Sequence, residues 1–460
     1  MKPAAERLTA LMGHLFTGPL PVRLRDWDGA ESGPADAPVV VLRSPDALRR
    51  LLWQPGELGL AEAYISGDLD VEGDLAGALS QARRAVRDQG ITRPRPARMA
   101  SAAALAVSLG AASLPPRRPD GRARLTGRLH SSSRDRAAIS HHYDVSNDFY
   151  ALLLDESMAY SCAYWARPAD ASYGLAEAQR DKLELICRKL GLGAGDRLLD
   201  VGCGWGSLAV HAAREHRVRV TAVTLSRQQR DFVAARVVRE GVAGLVEVQL
   251  RHWRHIDGGG HDAAAAVEMG EHVGDTEYPA FAAKLHDALR PEGRLLIQQM
   301  SRGADAPGGG PFIETYIAPD MHMRPVGRTA DLLEAAGLEI RSVESLREHY
   351  AATIDAWRTR LEDRWSEVES LVGETTGRVW RLYLAGASLA FTERRMGVDQ
   401  LLAVRPTRDG GSGMPATPTA WYPSAGRRSS PARRRRRHGA RPAPRRATRG
   451  TCPPPTAWWT

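Results

Sequence analysis

The stretch DRLLDVGCGWG, Asp196 to Gly206, decides the fold of this 460-residue chain. Leu198, Leu199 and Val201 read as a short buried strand. Three glycines at 202, 204 and 206 then turn the chain before a helical pattern from Ser207 to Glu215. The same alternation continues downstream. VRVTAVTL (218–225) predicts a second strand and Ser226–Glu240 a helix. LVEVQLRHW (245–253) and HDAAAAVEMG (261–270) predict a third and a fourth strand, with a helix over Thr276–Leu289. GRLLIQQM (293–300) is a fifth, and LEIRSVESL (338–346) and DQLLAVRP (399–406) are strand-like segments that could close the sheet. Strands separated by helices imply an α/β fold with a mostly parallel sheet covered on both faces.

In such sheets ligands sit outside the carboxyl ends of the strands, and the first strand–helix turn is the usual cradle. Asp200, Gly202, Gly204 and Gly206 form that turn here. The spacing is GxGxG rather than the GxGxxG of dinucleotide folds. With an acid just before the first glycine, it points to a class I S-adenosylmethionine site. An NAD site and a merely tight turn are the alternatives. One feature departs from the usual pattern. The second strand ends in VTLSRQQ, so Thr224, Ser226 and Gln229 stand where an acid normally holds the ribose hydroxyls.

Working outward, residues 1–85 read as a small mixed domain, with a β-rich run at Val39–Leu42, a helix opened by Ser44-Pro45 and another from about Asp74. Residues 86–135 are a proline-punctuated linker with room for one Ala-rich helix, 136–406 the α/β domain, and 407–460 a disordered Arg/Pro-rich tail. The formal net charge of +9 is misleading: the segment 405–460 holds 13 Arg and one acid, which leaves residues 1–404 at −3. Basic character therefore gives no ground for specific nucleic-acid binding by the folded part. Cys162, Cys187, Cys203 and Cys452 show no CxxC pair or metal-ligand spacing, so no metal site or disulfide framework is expected, and a reducing compartment is the default. The most apolar run, Met99–Leu114, is too short to span a bilayer, which needs about 20 apolar residues. Any membrane contact would be peripheral.

HHYDVSNDFYALLLDESMAYSCAYW (141–165), LLDVGCGWGSLA, VTLSRQQ, VEMGEHVG and EHYAATIDAW together resemble the cyclopropane-fatty-acid synthase family. The likeness covers residues 139–406 closely. It covers 1–85 more loosely, where AEAYISGDLDVEGDL is similar to the N-terminal domain of phospholipid-acting members. The resemblance implies a class I methyltransferase with a seven-stranded sheet, using S-adenosylmethionine as co-substrate. Its cofactor site would involve Tyr160, Ser161, the turn 200–206, Thr224, Leu225, Ser226, Gln229 and Trp253. It also implies a bound bicarbonate beside the sulfonium, held by Cys162, Glu271, Tyr350 and the backbone at Met300. The family's fourth side chain, a His, is replaced by Gln298, which can donate one N–H but cannot carry charge. Glu268, three residues before Glu271, competes with it. Residues 307–329 resemble actinobacterial members that make a methylene-branched chain.

The implied reaction is methyl transfer to the cis double bond of an unsaturated phospholipid acyl chain. The resulting carbocation would lose a proton to bicarbonate and close to a cyclopropane, the methylene-branched product being the alternative. An alkene is a weak nucleophile, so the donor carbon must be held in line and water kept away from the cation. Tyr143, Phe149, Tyr164 and Trp165 are candidate aromatic walls, and Met321, His322 and Met323 candidate tunnel residues. The expected setting is cytoplasmic, at the inner face of the membrane, and a homodimer is compatible with it. An NAD-linked oxidoreductase and a nucleic-acid-binding protein are the competing readings.

Overall fold

The computed structural model describes residues 2–13, 18–90, 96–111, 114–143, 145–167, 170, 172–304, 308–418 and 421–422, leaving aside the side chains of 96–98, 132 and 140–143. The roles considered for His141, His142 and Tyr143 therefore fall outside the described side chains, as does the tail from 423.

The large sheet has seven strands: β1 (Arg197–Val201), β2 (Arg219–Thr224), β3 (Val246–Leu250), β4 (His261–Val267), β5 (Leu289–Ser301), β6 (Glu339–Ser345) and β7 (Gly397–Val404). Their spatial order is β6-β7-β5-β4-β1-β2-β3. Neighbours from β5 through β3 run parallel, and β7 is antiparallel to both strands beside it. This is the expected class I methyltransferase sheet. Leu198, Leu199, Ala263, Ala264, Ala265, Leu295 and Leu296 are fully buried. Both faces of these central strands are covered, which is why their sequences are unbroken apolar runs rather than alternating ones. The register sets Gln298 of β5 opposite both Val267 of β4 and Gln400 of β7. The carboxyl ends of β1, β4 and β5 thus lie side by side.

The N-terminal residues form a four-stranded sheet of Glu31–Ser32, Arg23–Arg25, Val39–Leu42 and Leu69–Val71. The helix Asp46–Trp53 follows the Ser44-Pro45 signal. Asp74 caps Leu75–Gln89, accepting from the Ala76 and Gly77 amides. A further helix, Glu57–Ile65, lies in the glycine-punctuated stretch for which no helix was expected. The linker is pinned to both neighbours. Its helix Pro96–Ala106 belongs to the N-terminal core through Ala106, and Arg122 bonds Glu62 and Tyr316 across the two units.

Between β6 and β7 the chain makes two long helices, Arg347–Asp363 and Trp365–Thr392, the second kinked at Gly373, whose φ of 77° is left-handed. Trp380, Leu384 and Phe391 pack with Phe149, Tyr150 and Leu153 from the segment before the sheet, while Ala385 and Leu382 reach the N-terminal core. Residues after β7 also return to the domain. Trp421 joins the core beside β1 and β2, and the Tyr422 hydroxyl donates to Glu344 at 2.9 Å. The tail expected from 407 therefore begins with a packed segment. No helix among the described residues is long and apolar enough to cross a membrane.

Candidate active site

The glycine turn is built as the strand–turn–helix reading requires. Gly202, Gly204 and Gly206 have φ of 81°, 54° and 81°. A Cβ on Gly202 would meet the Met269 side chain at 2.8 Å and one on Gly206 would meet Val233 at 2.8 Å. At both positions close packing as well as backbone conformation excludes a side chain. Asp200 is buried at the end of β1 and its Oδ2 has no hydrogen-bond partner. Burial pushes its carboxyl up to about 7, with the nearby Lys182 ammonium opposing. A buried, unsatisfied carboxylate oxygen beside a glycine turn fits the ammonium of an amino-acid-bearing ligand.

A cavity opens over this turn. Gly202, Gly204, Thr224, Leu225, Gln229 and Trp253 line it. Thr224 donates to Gln229 at 2.8 Å, and the Ser226 hydroxyl caps the next helix by accepting from the Gln229 amide. Ser226 and Gly206 thus shape the wall without facing the cavity. Two residues expected here lie elsewhere. Tyr160 lines a second cavity, where its hydroxyl donates to Tyr383 at 3.3 Å, and the Ser161 hydroxyl accepts from Lys182 Nζ at 2.9 Å. Neither side chain lines the cavity over the glycine turn.

The second cavity, of about 340 Å³, is mostly apolar and runs between the N-terminal unit and the α/β domain. Tyr64, Leu75, Phe312, Ile354, Tyr383 and Phe391 are among its walls, and Met321 and Met323 take the tunnel positions expected of them. His322 is not part of that wall; it lies 3.8 Å from Asp275. Nor do Tyr164 and Trp165 face the cavity: Tyr164 stacks on His349, and Trp165 bonds His349 and Thr353. Phe149 is wholly buried against Trp380.

Glu268 and His272 line both cavities. Glu268 follows β4 with φ 53°, a conformation unusual for a non-glycine residue, and its amide donates to Gln298 O. That backbone turns its carboxylate into a set of three donors. Oε1 accepts from the Cys162 amide at 2.7 Å and from Gln298 Nε2 at 2.9 Å, and Oε2 accepts from the Tyr350 hydroxyl at 2.6 Å. Burial raises the Glu268 carboxyl above its ordinary value, while these three donors and the Lys182 charge oppose the rise.

The groups that the resemblance assigned to bicarbonate are therefore arranged differently. Cys162 contributes its backbone N–H. Its thiol faces the carbonyls of Ala163 and Leu346 at 3.3 and 3.7 Å and is held protonated by burial. Glu271 stands apart from the set: one oxygen accepts from the Met300 amide at 2.6 Å and the other is buried without a partner. Burial, and then the neighbouring Glu268 charge, push its carboxyl up to about 8. Gln298 and Tyr350 do converge, but on Glu268. A bicarbonate does not fit this donor set, because a carboxylate of the chain already takes all three hydrogen bonds.

Sequence reading missed two supports of this arrangement. Lys182 is a buried cation that senses Glu268, Asp155 and Asp200, and burial lowers its pKa. It is one of only four lysines in an arginine-rich chain, at a helical position next to apolar Leu183 and Ile186, and that rarity was the available signal. Gln400, opposite Gln298, donates to Gln298 Oε1 and accepts from Lys189. Cys187, His211 and His216 also come together, away from both cavities, with the two histidines bonded to Glu184.

The family model for mycolic acid cyclopropane synthetase matches residues 130–401. A probable fatty acid methyltransferase from Pseudomonas putida is 37% identical over 415 residues, covering 88% of this chain and 96% of that protein. The cyclopropane-fatty-acyl-phospholipid synthase of Escherichia coli is 31% identical over 380 residues, covering 82% and 90%. The crystal structure of a mycolic acid cyclopropane synthase complexed with SAH and CTAB superposes with a TM-score of 0.55 at 31% identity, over 58% of this chain and 97% of that one.

Proposed function

Because the chain belongs to the mycolic acid cyclopropane synthetase family, as an S-adenosylmethionine-dependent methyltransferase of lipid acyl chains, we propose that it methylates the cis double bond of an unsaturated phospholipid acyl chain and that Glu268 takes up the proton released. The observation that carries this reading is the position of the Glu268 carboxylate, held by three donors where the cofactor cavity meets the apolar one.

S-adenosylmethionine would supply an electrophilic methyl group, with Asp200 holding its ammonium and Gly202, Gly204, Thr224, Leu225, Gln229 and Trp253 enclosing it. The apolar cavity aligns the acyl chain and excludes water, which would otherwise trap the cation. As the alkene π pair forms the new C–CH3 bond, positive charge appears on the adjacent carbon. Tyr160, Tyr350, Tyr383 and Phe391 supply aromatic faces around it. Glu268 then removes a proton. Glu271, with its raised pKa, stays protonated at neutral pH and spares Glu268 a second negative charge nearby. All the groups that converge on Glu268 come from one chain.

The fate of the cation follows from the strength of that base. The three donors keep Glu268 a weaker base than burial alone would make it, although its pKa still lies above the ordinary carboxylate value. A slower deprotonation gives a hydride on the methylated carbon time to move to the cationic carbon, which leaves a tertiary cation. Loss of a methyl proton to Glu268 then gives an exocyclic methylene. This branched product is the reading we favour. Direct deprotonation with ring closure is the second reading, supported by the name of the E. coli relative. Peripheral action at a membrane surface is supported by the cavity wall itself: Leu60 lines the cavity and is also exposed, and Met99 and Leu114 of the linker are exposed as well.

Product analysis tests this. The purified chain is given S-adenosylmethionine and dioleoyl phospholipid vesicles, and the acyl chains are examined by mass spectrometry and proton NMR. A gain of CH2 with vinylidene protons supports the branched reading, and upfield ring protons support the cyclopropane. No gain in mass from a protein that binds the cofactor overturns both.

A further inference from the structure

The helices before and after β1, Leu175–Leu190 and Ser207–His216, pack against each other and bring four ligand-type side chains together. Glu184 and Cys187 stand three residues apart on the first helix, so they share a face. His211 lies within the second helix and His216 ends it. One ligand atom each from Cys187, His211 and His216 lie within 4.8 Å of one another. Glu184 Oε2 is 3.4 Å from His211 Nε2 and 2.9 Å from His216 Nε2. None of the four residues lines either cavity. Cys187 is wholly buried and His211 nearly so, while His216 and Glu184 reach solvent in part, which leaves an ion a way in.

Glu184 has one other partner. Arg188 donates to its Oε1 at 2.6 Å, and that arginine is 35% exposed, so water shares its charge. Oε1 is thus taken, and Oε2 is the atom turned toward the histidines. Glu215 also acts on His211, whose pKa burial lowers, leaving a neutral imidazole with a lone pair to give. Pairing with Glu184 explains why two histidines gather here, but not why a thiol joins them. Among the described residues the Cys187 thiol has no hydrogen-bond partner, and burial keeps it protonated.

One thiolate, two imidazoles and a carboxylate oxygen make a donor set for four-coordinate zinc, whose ligand atoms stand about 3.3–3.6 Å apart in a tetrahedron. The two Glu184 separations are already near that edge, and the thiol and imidazoles need to draw in by about 1 Å. The thiolate and the carboxylate balance the charge of a divalent ion, and Arg188 on Oε1 holds the carboxylate in orientation from outside.

We propose that Glu184, Cys187, His211 and His216 form a structural zinc site that clamps the two helices flanking β1. On binding, the Cys187 S–H bond breaks and an S–Zn bond forms, the proton passing to solvent. Each imidazole gives a lone pair and keeps its one proton on the other ring nitrogen, and no electron is transferred. Four protein ligands leave no open position, so the ion is a clamp and not a reagent. It fastens the helix that carries Lys182 to the helix that starts at the glycine turn. Spacing concealed the set, because 211 and 216 are not the three- or four-residue pair that shares a helix face.

The test uses the full chain without an affinity tag, kept reduced and stripped of metal by a chelator. Zinc should bind one to one, release about one proton per ion at neutral pH and raise the melting temperature. Cobalt(II) should show a thiolate-to-metal charge-transfer band that Cys187→Ser abolishes. His216→Gln, at a part-exposed helix end, should weaken zinc binding about tenfold or more, with an unchanged metal-free melting curve to check its fold. A wild type without the cobalt–thiolate band, a band that persists in Cys187→Ser, or zinc bound as tightly by His216→Gln overturns the site. Zinc that binds yet leaves the melting temperature unmoved overturns the clamp.

Discussion

Gln400 Nε2 donates to Gln298 Oε1 at 2.8 Å across the β5–β7 ladder, so the amino end of the Gln298 amide is the end that faces Glu268. Lys189, buried and donating to Gln400 Oε1, fixes Gln400 in turn. A neutral side chain thereby acts as an oriented donor to a carboxylate.

The first prediction follows from where the base sits. Glu268→Gln should lower methyl transfer by about 10²–10⁴-fold, the usual worth of a positioned base, with SAH binding retained. Glu271→Gln should cost far less. Removing dissolved bicarbonate from the assay should leave wild-type turnover unchanged. A wild type that stops in bicarbonate-free buffer would return the base to an external oxyanion.

The second concerns pH. Glu268 must be ionised to accept a proton, so kcat/KM should rise with pH through its pKa. Hydrogen bonds to the ionised form hold that value down. Gln298→Ala removes one of them and should move the acid limb of the profile to higher pH. An unmoved limb would show that Gln298 does not tune Glu268.

The third is a stability effect. Glu271 titrates near 8 in the folded chain and near 4.5 unfolded. Between those values the folded state holds a proton that the unfolded state has released. Stability therefore falls as pH rises through this window and levels off above it. Glu271→Gln should flatten that fall, as read from melting temperature against pH.

A fourth concerns the chain after β7. Deleting 423–460 should leave the melting temperature unchanged, whereas deleting 407–460 removes buried Trp421. The loss should be about 3 kcal/mol, the scale of truncating a core tryptophan. Thermal melts of the two truncated chains would separate the cases.

Much of the fold was legible, and the reasons are physical. Central strands buried on both faces leave apolar runs ended by glycine, so β1, β4 and β5 stood out. The helices Arg347–Asp363 and Trp365–Thr392 did not. Their apolar positions serve several neighbours at once: the aromatic segment before the sheet, the N-terminal core and the cavity. No single stripe results. The site was legible as a set of residue types but not as an arrangement. Glu268 and Glu271 stand three residues apart, and sequence cannot say which turns toward Cys162. The left-handed backbone at Glu268 decides it. Cys162 drew notice for its sulfur, yet its peptide nitrogen makes the contact.

The wall shared by the first ninety residues and the long helices has a further consequence. About a third of the apolar cavity's wall is supplied by a part of the chain remote from Glu268, so on the proposed acyl-chain reading a preference for short or long tails can evolve there while the machinery around Glu268 stays as it is. Swapping only that leading portion between relatives is then a route to new substrate ranges without touching the reacting atoms.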